Sequence, residues 1–311
     1  RGALGNLGID EQAEIESDVQ LLTLAAIAKN SYFSPLDYGN CTLFELYFQR
    51  FKEDADYLAT VSRRRDGSAS NFGSTDYFTI SRPLATSACG QVAPDLAMLE
   101  ALVQRREKGC DWEAWAEAIV CFNLANTDSN TIQTHMEIVL MVAAFQRLLG
   151  ARRNGERRLA NAFASVLQPA ETIMVSSSTR LANVRTETDE PLRARWVREL
   201  WGARGHLAHG VLKRNPQAVW SVEEFLLLGA FIFPIVAKRL LARDGYYQLS
   251  RDDLARELAF ERLCDTRIFP ERSPVDDGSN WPWCEIVEQA SWDVLNLEVE
   301  KTLELGLGGS L

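Results

Sequence analysis

Residues 225–237 read FLLLGAFIFPIVA, an uncharged run of 13 residues flanked by Glu223, Glu224 and Lys238. A membrane-spanning helix needs about 20 apolar residues. The run is therefore read as a core helix. A helix apolar on every side has to be wrapped by other helices. Just upstream, Ser221 and Glu224 make an S-x-x-E capping box that opens the helix, because each side chain can bond the other's backbone N–H. The helix should extend to about residue 242, with a kink at Pro234.

Moving outward, the flanking segments repeat the helical period. Pro191 suits the first turn of a helix whose stripe is Leu192, Trp196, Leu200 and Trp201. Residues 156–167 form a helix that stops before Pro169. Residues 131–149 form another, apolar on most sides and ended by Gly150. Asp111 caps a helix with Trp112, Trp115, Ile119 and Phe122 on one side. Downstream, Ser250 opens a helix to about residue 263, and residues 285–305 form the last. Residues 176–188 are polar and loop-like, and 269–283 are rich in Pro and Ser.

The first hundred residues mix signals. Residues 14–29, 42–57 and 96–108 look helical, residues 66–75 (DGSASNFGST) carry loop chemistry, and residues 77–80 alternate like a short strand. The expected architecture is mainly α. An N-terminal region of mixed or helical structure (1–108) precedes a helical bundle (109–247) and a C-terminal helical extension (248–311).

The net charge of -10, with 46% hydrophobic and 24% charged residues, describes an ordinary globular chain whose surface as a whole does not attract nucleic acid. Charge is unevenly spread. Residues 147–214 hold 13 Lys and Arg against 6 Asp and Glu, a net +7, so the remainder carries -17. Such an island suits a local phosphate-binding surface. The plain alternative is that Arg152, Arg153, Arg157, Arg158, Arg193 and Arg195 line solvated helix faces. Six cysteines without a C-x-x-C pair and only three histidines argue against a zinc site. No metal or cofactor is expected. The scattered thiols fit a reducing cytoplasm, and no signal-peptide pattern opens the sequence.

One constellation carries chemistry. Residues 200–210 read LWGARGHLAHG, placing Arg204 and His209 five residues apart at the end of an amphipathic helix and just before Gly210. An arginine is a permanent cation whose fork fits phosphate oxygens. A histidine with a pKa near 6.5 supplies a neutral base at pH 7. RNA brings its own nucleophile, the 2′-hydroxyl, so a protein needs only to position it, take its proton and offset the charge building on phosphorus. The structural alternative is a helix C-terminus with a dipole-stabilised His209 and a terminating Gly210. His206 points roughly 160° away from Arg204 on a helix and reads as supporting. Asn123, Gln146 and Arg198 are candidate polar or binding positions, whereas His135, Trp196 and Trp201 read as structural.

Taken in order, the helix ending CFNLANTDS (121–129), the apolar helix ending VAAFQRLLG (142–150) and the Arg-x(4)-His-Gly motif make residues 111–244 resemble a HEPN domain of the kind attached to phage-defence and stress proteins. The resemblance covers a little under half of the chain. It implies a helical bundle that pairs as a homodimer, with no membrane partner. Its activity would be a metal-independent endoribonuclease, with Arg204 and His209 as the catalytic pair and RNA as substrate. Gly205 and Gln146 stand where the family commonly has a polar residue and often a Glu. These positions carry the alternative reading, a non-catalytic module that binds a nucleotide or a partner. A structural dimerisation domain is a third reading.

Overall fold

The computed structural model describes residues 9–29, 46–48, 59–63, 69–73, 78–81, 93–109, 111–126, 132–151, 155–182, 184, 189–208, 218–269 and 282–307. Its helices are α1 (Ile9–Lys29), α2 (Leu96–Lys108), α3 (Trp112–Ala125), α4 (Thr134–Leu148), α5 (Gly155–Val166), α6 (Leu192–Ala208), α7 (Val222–Arg243), α8 (Arg251–Asp265) and α9 (Trp283–Leu307). The architecture is mainly α, as expected. Between α1 and α2 lie two antiparallel strand pairs, β1 (Leu46–Phe48) with β4 (Phe78–Ser81) and β2 (Ala59–Arg63) with β3 (Ala69–Gly73).

These strands correct two expectations. The helix expected at 42–57 contains β1, because Tyr47 and Phe48 favour a pleated backbone and spacing alone had suggested a helix. The loop expected at 66–75 contains β3, paired with β2 from Ala59↔Gly73 to Arg63↔Ala69.

Helix α7 is the axis. Every residue from Phe225 to Lys238 is buried, and the helix runs through Pro234. By length and composition it could cross a membrane, with a mean hydropathy of 2.0 in its best window, yet 89% of that window is buried inside the protein. Its N-terminus carries the capping box: Ser221 accepts from the Glu224 N–H and the Glu224 carboxylate accepts from the Ser221 N–H. Pro234 has no N–H to offer the preceding turn. In that turn the Phe231 carbonyl accepts from Arg256 Nη2 at 3.1 Å.

The core is built around Trp196 of α6, which is fully buried. Its ring meets Phe260 of α8 at 5.3 Å, Phe163 of α5 at 5.9 Å, Phe225 of α7 at 6.1 Å and Phe145 of α4 at 6.2 Å. Phe122 of α3 stacks on Phe233 of α7 at 4.2 Å. Aromatic pairs at these distances add to the area they bury. Leu24 of α1, Phe260 of α8 and Trp283 of α9 belong to the same hydrophobic cluster, so helices from all three sequence segments share one core.

A polar seam runs through this core along α8. Asp253, Glu257, Glu261 and Asp265 are spaced four apart and so lie in one line. Asp253 takes Lys238 of α7 at 2.5 Å, Glu257 takes Arg239 of α7, Glu261 takes Arg193 of α6 at 2.6 Å, and Asp265 accepts from Ser178, Thr179 and the Arg180 N–H. Burial pushes the Glu257 and Glu261 carboxyls above their usual range in spite of their arginines. Burial also pushes Asp253 and Asp265 upward, but their hydrogen bonds and, for Asp253, the Lys238 charge outweigh it and leave both below the usual range. The seam fixes which helices neighbour which, as buried polar pairs can only be satisfied by the right partner.

The three described cysteines are free and differ sharply in access. Cys284 is exposed, Cys121 is half-buried, and Cys264 is sealed, with burial raising its thiol pKa well above normal. Of these three, a maleimide in native buffer should modify Cys284 first and leave Cys264 untouched until denaturant is added, since only an accessible thiolate reacts. Peptide mapping reads the order directly, and native-state labelling of Cys264 would contradict this packing.

Candidate functional site

Helix α6 sets the position of Arg204. Leu192, Trp196, Val197 and Leu200 are buried and anchor its first ten residues in the core. From Trp201 to Arg204 and Gly205 every residue is only half-buried, so the last turns emerge from the bundle. A Cβ built on Gly202 or Gly205 meets nothing within 4 Å, which leaves space beside this end of the helix.

The Arg204 guanidinium lies over the Trp201 ring, 5.1 Å from its centroid. The two are three residues apart and share a helix face. An aromatic face orients a cation through its quadrupole without neutralising it. Among the described residues no carboxylate pairs with Arg204. His206 is on α6 two residues further along, and His209 lies outside the described residues.

Of the eight described arginines in the surrounding basic island, five are ion-paired, and Arg152 and Arg153 lie outside the described residues. Arg147 pairs with Glu117, Arg180 with Glu224 at 2.6 Å, Arg193 with Glu261 at 2.6 Å, and Arg195 with Glu199 at 2.9 Å. Arg193 is therefore neither a solvated face nor a phosphate site: it is buried and its charge is spent on α8. Arg198, a candidate binding residue, bridges Glu156 at 2.8 Å and Glu190 at 2.8 Å. Its Glu156 bond, reinforced by Glu190, pulls its pKa above the usual guanidinium value. Its visible work is to join α5, α6 and the segment before Pro191.

Helix directions decide which candidates come together. Glu156–Arg198 and the bond from Arg193 Nε to the Ala164 carbonyl make α5 antiparallel to α6. Glu117, early in α3, meets Arg147 in the last turn of α4, so α3 is antiparallel to α4. The first turn of α5 and the last turns of α6 thus share one end of the bundle. Nothing brings Gln146 to Arg204 among the described contacts. Gln146 is half-buried, and its carbonyl accepts from the Ala151 N–H at 2.8 Å, closing α4 around Gly150 at φ 65°. A positive φ of this kind is where glycine ends a helix most easily.

Asn123 is at the other end of α3. It is 1% exposed, and its amide donates to the Gln20 carbonyl at 3.0 Å and to Gln20 Oε1 at 2.7 Å. It ties α1 to α3 and does not meet Arg204. His135 is in the first turn of α4.

Trp201 was read from the sequence as core, and the structure gives it a second role under Arg204. The i, i+3 spacing was the available signal. Arg157 and Arg158, in the first turn of α5, are exposed and carry no ion pair among the described residues. Spacing alone could not separate them from the paired arginines around them.

No family model, curated protein or solved structure matches this chain.

Proposed function

We propose that this chain is a metal-independent endoribonuclease of the HEPN type, acting in a defence or stress response as a homodimer. The observation that carries the reading is Arg204: it lies half-exposed at the end of α6 and is held by the Trp201 ring, while five neighbouring arginines between residues 147 and 198 are committed to carboxylates. A cation kept oriented, with no carboxylate partner among the described residues, is what a phosphodiester needs.

The chemistry follows from RNA itself. His209, five residues on, accepts the 2′-hydroxyl proton. The 2′-oxygen bonds to phosphorus and the P–O5′ bond breaks. The leaving 5′-oxygen takes a proton from the partner's His209 or from water. Arg204 bonds the non-bridging oxygens, where negative charge builds. The products are a 2′,3′-cyclic phosphate and a 5′-hydroxyl.

The test uses the purified protein with single-stranded RNA in excess EDTA. Cleavage should persist, leave 2′,3′-cyclic phosphate ends, and vanish on a substrate carrying a single 2′-deoxyribose at the cut site. Cleavage abolished by EDTA, or of the deoxy-substituted linkage, would overturn the mechanism. RNA bound but left intact selects the non-catalytic binding module instead.

A further inference from the structure

Resting on the ribonuclease reading, we infer that Arg157 and Arg158 extend the Arg204 site into a track for the phosphates of single-stranded RNA, running from the first turn of α5 to the last turns of α6. Both residues are exposed, and among the described residues neither pairs with an acid. The one acid of that turn, Glu156, is taken by Arg198 at 2.8 Å. The same bond pins the α5 turn to α6. Arg204 stands six residues beyond Arg198, about 9 Å of helix rise. Among the described residues these three guanidinium groups lack a carboxylate, and they belong to the first turn of α5 and the last turns of α6, which the Glu156–Arg198 bond holds side by side.

Local stability does not account for the pair. The first turn of a helix favours acidic side chains, because its free N–H groups and dipole present positive charge. Two adjacent arginines there act against that preference. Elsewhere in this part of the chain each described arginine from Arg147 to Arg198, these two aside, is matched with a carboxylate. An anionic polymer that spans both helices supplies the missing countercharge, and protein–RNA contacts of this kind carry affinity without sequence preference.

The experiment compares the full chain with the double variant Arg157→Glu/Arg158→Glu and with Arg267→Glu. Arg267 is exposed just past the C-terminus of α8, on neither α5 nor α6, and controls for reversing a surface cation. The ligand is a fluorescent 12-nucleotide RNA, measured for affinity across a salt series and for cleavage in EDTA. Thermal melts verify that the variants fold. Each single-strand phosphate contact contributes about 0.7 to the slope of log affinity against log salt, so the double variant should flatten it by about 1.4. Its cleavage defect should fall on KM rather than kcat, while Arg267→Glu behaves as the parent.

A double variant indistinguishable from the parent or from Arg267→Glu overturns the track while leaving the ribonuclease reading in place. A parent that binds RNA without cutting it, with a salt slope that the double variant flattens, keeps the track and removes the catalytic reading. A parent that neither binds nor cuts RNA removes both.

Discussion

Lys238→Met should cost about 3–5 kcal/mol of folding stability, the usual consequence of removing one partner from a buried ion pair. The Lys238 ammonium is 4% exposed and bonds Asp253 at 2.5 Å and Asp95 at 2.7 Å. Each acid also holds a helix start. Asp95 accepts from the Met98 N–H at the head of α2, and Asp253 accepts from the Ser250 N–H in the capping box of α8. One cation therefore joins α7 to the N-termini of two other helices. Without it, Asp253 keeps its burial but loses the charge that outweighed it. Asp253 now sits below its ordinary range, so the parent gains stability from it above the unfolded pKa, about 3.9. That gain disappears as pH falls through the lower folded value. In Lys238→Met the sign reverses: burial raises the carboxyl, and protonating it relieves an unpaired charge. The gap between parent and variant, read by urea denaturation, should therefore be widest near neutral pH and narrow toward pH 4. Adding Asp253→Asn should recover part of the loss. A variant within 1 kcal/mol of the parent at pH 7 would falsify the hub.

The features that were legible in the sequence are the local ones. Helix α2 spans Leu96–Lys108, as its spacing predicts, and the Ser221/Glu224 box and Gly150 are where the caps were placed. Each depends on residues within one or two turns. The seam was not legible. The line Asp253, Glu257, Glu261 and Asp265 is visible as a four-residue repeat, but a solvated helix face would look the same. Its partners Arg193 and Ser178 lie 68 and 87 residues away in the chain, and only tertiary packing brings them in. The same reason explains the basic island. Composition counts charges without counting the carboxylates that cancel them, so Arg193 and Arg198 looked as available as Arg157. Asn123 misled similarly: a buried amide can line a pocket or tie two helices, and its bonds to Gln20 decide for the tie. At the candidate site itself the motif and its helix were readable, whereas the ring beneath Arg204, and the want of a carboxylate partner among the described residues, are set by packing.

Arg204→Ala should lower kcat/KM for RNA by about 100- to 1,000-fold, the range seen when one preorganised donor to a developing oxyanion is removed. His209→Ala should cost about 100- to 10,000-fold, as expected for a general base. Arg204→Lys separates charge from shape. It keeps the cation but loses the planar fork, so it should recover affinity more than turnover. Trp201→Leu tests the support beneath. An exposed cation–π contact is worth about 0.5–1 kcal/mol, so its loss should cost roughly two- to fivefold, with Trp201→Phe close to the parent. The Arg204→Ala/His209→Ala double variant should be scarcely worse than the poorer single one, because both groups serve one transition state. In the parent, kcat/KM should rise with pH through the imidazole range near 6.5, and that limb should be missing from His209→Ala. Equal activity of Arg204→Ala and the parent would leave the exposed guanidinium without a role in the reaction. A Trp201→Leu loss as deep as that of Arg204→Ala would mean that the ring does more than hold the cation.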